Sequence, residues 1–234
     1  MTFIEALRSL RRAQKSSKGV SLYSRWLNRP LGRVLAAGAA SIGIGPNAVT
    51  LVSSAVTAAA LVVLIISPIT AISGVAVAAL LVLGFALDSA DGQVARLTGT
   101  SSPAGEWLDH VVDAGKMVAV HAAVLIALWR DGAEPGWFAV ALAYQFVSVV
   151  FFAALTLFSL LHRGDRAPAA AATPSTLRAV ALLPADYGIL ALAFVLWGWQ
   201  PVFLIAYALL FAATTVIAAA LSIKWFRALS SAQG

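Results

Sequence analysis

Six apolar stretches, each about as long as a membrane is thick, dominate this chain and leave it few alternatives. They run over residues 47 to 67, 72 to 97, 104 to 129, 135 to 161, 184 to 199 and 201 to 223, and about 20 apolar residues in a helix cross a hydrocarbon core of about 30 Å. An open strand in lipid would leave backbone N–H and C=O groups unpaired, so each stretch is predicted to be helical. The fifth is the shortest, bounded by Pro184 and Pro201. Composition agrees: only 11% of residues are charged and 61% are hydrophobic, against about 25% charged in a soluble domain. The expected fold class is an all-α integral membrane protein with six transmembrane helices. The absence of Cys excludes a disulfide framework, a thiolate metal site and a thiol nucleophile.

The charges give the chain a direction. Arg8, Arg11, Arg12, Lys15, Lys18, Arg25, Arg29 and Arg33 precede the first span, Arg163, Arg166 and Arg178 lie between spans four and five, and Lys224 and Arg227 follow span six. In the three intervening loops on the other side only Arg130 is basic. The positive-inside rule then places both termini in the cytoplasm, with the protein in the cell membrane. No nucleic-acid partner is expected.

Three regions are expected: an interfacial segment over 1 to 45, a six-helix domain over 46 to 227 and a short cytoplasmic tail over 228 to 234. The charged region of the first is too long for a signal peptide, and Leu35 to Ala40 is too short an apolar run. Phe3, Ile4, Leu7 and Leu10 make one helical stripe, and Leu22, Tyr23, Trp26, Leu27, Leu31, Val34 and Leu35 another. Such stripes lie in the headgroup layer with their cations toward anionic lipid. The alternative is a cytoplasmic helix packed on the bundle.

Ionisable groups inside spans are costly, about 2.5 kcal/mol or more each, and usually mark function. Asp88 and Asp91 end span two, Asp109 and Asp113 begin span three, and the turn Gly99-Thr-Ser-Ser-Pro103 joins them. Residues three or four apart share a helix face, so Asp88 and Asp91 form one acidic face and Asp109, Asp113 and Lys116 its counterpart. Four carboxylates brought together in a low dielectric need cations or protons. An all-oxygen site suits Mg²⁺, Mn²⁺ or Ca²⁺ better than zinc. His110 points about 100° away from Asp109 on an ideal helix and reads as a packing or supporting residue. His121 reads as a hydrogen-bonded core residue, and His162 as solvated.

Asp88-Ser-Ala-Asp91-Gly92-Gln-Val-Ala95-Arg96, an eight-residue spacer, then Gly105-Glu-Trp-Leu-Asp109-His-Val-Val-Asp113 resembles the signature of the CDP-alcohol phosphotransferase family, D-x2-D-G-x2-A-R…G-x3-D-x3-D. All eight fixed positions, within 26 residues, are present. Pro46-Asn47-Ala-Val-Thr50 is similar to the start of the family's first span. The resemblance implies that Asp88, Asp91 and Asp109 bind two divalent cations, Mg²⁺ or Mn²⁺, with Asp113 near the metals as base. It implies that Arg96 holds a phosphate, and that Gly92, Ala95 and Gly105 leave room for the cytidine nucleotide. The family moves a substituted phosphoryl group from a CDP-alcohol, usually CDP-diacylglycerol, to an acceptor hydroxyl, releasing CMP, as in phospholipid biosynthesis. A homodimer is expected on the same ground.

Lys116, Arg163, Arg166 and Arg178 are candidates to bind a phosphorylated acceptor such as inositol phosphate or glycerol phosphate; the three arginines also fit ordinary positive-inside charge. The stretch from Lys18 to Pro30 is similar to the corresponding segment of di-myo-inositol phosphate phosphate synthases, which use CDP-inositol, so a soluble donor stays open. Two other classes also use intramembrane acidic clusters: prenyltransferases, which release pyrophosphate, and cation or metabolite transporters, which release no CMP.

Overall fold

The computed structural model describes residues 1–12, 19–161 and 175–231. His162, Arg163 and Arg166 therefore lie outside the described residues, as do Lys15 and Lys18. No strand occurs among the described residues. Helix α1 (Phe3–Arg12) is followed by a π-helical turn, Ser24–Asn28, that runs directly into α2 (Arg29–Ser41). Then come α3 (Pro46–Ile66), α4 (Ala71–Thr98), α5 (Pro103–Arg130) and α6 (Pro135–Leu161). Two short helices, α7 (Thr176–Ala181) and α8 (Tyr187–Ala193), precede the long α9 (Gln200–Ser231).

Five helices, α3, α4, α5, α6 and α9, are long and apolar enough to cross a membrane. Their ends follow from local chemistry. Pro46, Pro103 and Pro135 open three of them, at a position where proline's missing N–H costs nothing. Helix α4 starts in a capping box, where Thr70 and Ser73 satisfy each other's backbone N–H groups. It stops at Gly99, whose φ of 68° only glycine adopts without strain. Ser102 Oγ then accepts from Gly105 N at 3.1 Å and starts α5. This tight stop and restart folds α5 back along α4 and brings the two acidic faces together.

The fifth predicted span differs from the expectation. It is a short helix, Tyr187–Leu196, whose last three residues tighten into a 3₁₀ turn. Asp186 caps its start, Oδ1 accepting from Gly188 N at 2.7 Å, so the helix cannot extend back to Pro184. At its other end Gly198 lies against the Ala71 backbone so closely that a Cβ would stand 2.2 Å from the Ala71 nitrogen. The segment runs beside α4, from Phe85 at the acidic end, where Tyr187 packs, to Gly74, against which Phe194 and Trp197 close.

The main core joins α3, α4 and α5 through Ala60, Leu64, Val77, Leu81, Val120 and Val124, with Phe194, Trp197, Phe203 and Tyr207 closing it. His121 sits there, hydrogen-bonded to Tyr207 Oη at 2.6 Å and Ser148 Oγ at 3.0 Å. A second cluster, at the acidic end, packs Ala6 and Leu10 of α1 and Ala36 and Ala37 of α2 on Val49, Ala90 and Val94. One side of the N-terminal segment packs on the bundle, while Ile4, Trp26, Leu31 and Val34 are exposed.

Candidate metal and nucleotide site

Asp88 and Asp91 project from α4 toward Asp109 on α5, and one carboxylate oxygen from each lies within 4.8 Å of the others. Asp91 is only 6% exposed, so its direction matters, and the side chain that sets it comes from a third helix. Thr50 Oγ1 on α3 donates to Asp91 Oδ2 at 2.6 Å. Asp113 stands outside this trio, one turn deeper in the bundle. Lys116 Nζ donates to Asp88 Oδ1, to Asp113 Oδ1 at 3.3 Å and to Ser53 Oγ at 3.1 Å. Ser53 in turn donates to the Gly84 carbonyl at 2.8 Å, which fixes the far wall of the cluster.

Asp91 and Asp109 open into a cavity of about 490 Å³, lined by all four residues to which the sequence assigns nucleotide contact: Gly92, Ala95, Arg96 and Gly105, while Asp88 lines a smaller one beside Asp113. That volume suits a nucleotide-sized ligand. Two glycines keep the wall uncrowded: a Cβ on Gly92 would stand 3.3 Å from Arg96 Nη1, and one on Gly105 3.2 Å from Asn47 Oδ1, so either side chain would have to give by a few tenths of an ångström. Arg96 thus folds back over Gly92 with its guanidinium at the cavity wall. Arg29, on α2, lies within reach of its field; burial, with Arg96 and Arg25 nearby, holds the Arg29 guanidinium below its ordinary range. His110 lines the same cavity, its Nε2 3.8 Å from Glu106 Oε1 and its ring edge-on to Phe152.

The donor set fits a hard divalent cation. Three carboxylates offer oxygens at converging positions with no thiolate among them, the chemistry of Mg²⁺ or Mn²⁺ sites. One ammonium shared between Asp88 and Asp113 does not match the charge of four acids.

The structure separates the acceptor candidates. Lys116 is inside the acidic cluster. Arg178 is on α7, its Nη2 4.0 Å from the place a Cβ would take on Gly19, and it lines neither cavity at the site. Sequence reasoning assigned no role to Thr50 or Ser53. Their signal was there in a small way: Thr50, Ser53 and Thr57 are buried polar residues at helical spacing on an otherwise apolar span.

A comparison with curated proteins gives no match. A family model described as CDP-alcohol phosphatidyltransferase matches residues 44–226, which takes in every helix that contributes to the site. The chain belongs to the CDP-alcohol phosphatidyltransferase family, membrane transferases of substituted phosphate groups that work with a divalent metal.

Proposed function

We propose that this protein transfers a phosphatidyl group from CDP-diacylglycerol to the hydroxyl of an acceptor alcohol and releases CMP, at the cytoplasmic face of the cell membrane and as a homodimer. The observation that carries the reading is the convergence of Asp88, Asp91 and Asp109, two of which, Asp91 and Asp109, line a cavity walled by Gly92, Ala95, Arg96 and Gly105.

Asp88, Asp91 and Asp109 would hold two Mg²⁺ or Mn²⁺ ions, with Asp113 beside them. Such ions, when bound, neutralise the pyrophosphate and the charge that builds on departing CMP. The chain's own residues do the rest. Thr50 holds Asp91 in its ligating direction, as supporting residues around metal sites commonly do. Gly92 and Gly105 keep the backbone open for the nucleotide, and Arg96 presents its planar fork to a phosphate oxygen. Lys116 pins Asp113, and that carboxylate takes the acceptor's proton, a role worth typically 10² to 10⁴-fold. The acceptor oxygen then attacks phosphorus, and the bond from phosphorus to the CMP oxygen breaks with its electron pair. No covalent enzyme intermediate is needed. Of the cationic candidates for a phosphorylated acceptor, inositol phosphate or glycerol phosphate, Lys116 stands at the site, whereas Arg178 lines neither cavity.

The test is an incubation of purified protein with Mg²⁺, a panel of alcohols, and either CDP-diacylglycerol or CDP-inositol, with CMP measured. CMP release that requires donor, alcohol and metal together is expected, and the better donor identifies the substrate. Pyrophosphate release from a prenyl diphosphate, or solute flux across liposomes without CMP, would contradict the reading.

A further inference from the structure

Next to the large cavity, and one turn deeper, lies a second of about 40 Å³ lined by Thr57, Phe85, Asp88, Asp113, Lys116, Met117 and Tyr187. Asp113 faces this one and does not line the other. The Tyr187 hydroxyl is fully buried and makes no hydrogen bond among the described residues, and the charges that act on it are those of Asp88 and Asp113. A buried phenol without a partner is unusual, because an unmade hydrogen bond costs about 1 to 3 kcal/mol.

The fold takes trouble to put it there. Tyr187 is the first residue of α8, directly after Asp186, and Asp186 is tied to the N-terminal segment: its Oδ2 accepts from Ser24 Oγ at 2.6 Å and from Ser21 Oγ. Gly188 lets the Tyr23 ring lie against the helix where any side chain would collide. The Tyr187 ring stands edge-on to Phe85, centroids 5.2 Å apart, one turn before Asp88.

We propose that Tyr187 binds the acceptor: its hydroxyl and Asp113 together hold the attacking oxygen in the small cavity, beside Lys116 and Asp88. This rests on the transfer reading above and assigns it a second substrate site. The cavity has room for about three water-sized groups, enough for one reacting carbon and its hydroxyl but not for a sugar ring, so the rest of the acceptor stays outside it. An alcohol oxygen has one proton and two lone pairs. The proton goes to Asp113, one lone pair accepts from Tyr187 O–H, and the other forms the bond to phosphorus as the bond to CMP breaks with its electrons. As the proton leaves, charge grows on the oxygen and the Tyr187 hydrogen bond strengthens, which lowers the barrier.

The experiment is Tyr187→Phe, which keeps the ring and removes one oxygen. Initial rates of CMP release are measured with Mg²⁺ in micelles, varying the acceptor at saturating donor and then the donor at saturating acceptor. kcat/KM for the acceptor should fall about tenfold or more while the donor KM stays put. Unchanged acceptor kinetics, or a donor KM that rises with the acceptor's, overturns the proposal. If Tyr187→Phe fails to fold, Met117→Phe fills the small cavity from another wall and must lower kcat/KM for the acceptor with the donor KM unchanged; a raised donor KM overturns the proposal there too. Wild-type protein that releases no CMP from any CDP-alcohol defeats the transfer reading itself, whereas active wild type with an indifferent variant defeats only the role of Tyr187.

Discussion

At the scale of single residues, the proposed reaction divides the work between carboxylates that would ligate, groups that aim them, and one that would move a proton. Asp113→Asn keeps the shape and removes the base, so turnover should fall by about 10² to 10⁴-fold while calorimetry still records metal-dependent CDP binding. Loss of that binding would place Asp113 among the ligands instead. Thr50→Val removes the hydroxyl that bonds Asp91 without changing volume much, and should raise the Mg²⁺ concentration for half-maximal activity about 10 to 100-fold, with Thr50→Ser restoring it. An unchanged Mg²⁺ requirement would make Thr50 a packing residue. The four acids were legible because each pair repeats on one face of its helix, and Arg96 because it stands at a fixed position of the family signature. Thr50, Ser53 and Tyr187 were not, because their value comes from which residue of another helix stands opposite, and register between helices leaves no mark in a single sequence.

At the scale of elements, the ends of α4 and α5 matter most, since four residues between Thr98 and Pro103 decide whether the acidic faces meet. Gly99, Ser102 and Pro103 announce that turn in the sequence, which is why the motif could be placed across two helices beforehand. The short α8 was harder to read. Its apolar stretch looked long enough for a span, but Asp186 and Gly198 trim it from both sides by contacts with distant segments. Those contacts make a further prediction. Gly188→Ala puts a Cβ 1.9 Å from the Tyr23 ring, so it should cost about 1 to 3 kcal/mol and lower the thermal midpoint in detergent. An unchanged midpoint would mean that the N-terminal segment does not pack on α8 as described.

For the whole molecule, the lipid setting and the acidic cluster belong to one design. A bundle that buries Asp91 and Lys116 near its end supplies a low dielectric in which bound ions would attract a polyanionic donor strongly, and its exposed apolar exterior suits a membrane. The central claim is that carboxylates from α4 and α5 share divalent ions in this bundle. The most direct measurement is anomalous diffraction at the manganese edge from crystals grown with Mn²⁺ and CDP. Two peaks bounded by Asp88, Asp91, Asp109 and Asp113 are the predicted result; protein that binds CDP and releases CMP with no manganese between those four side chains would contradict it.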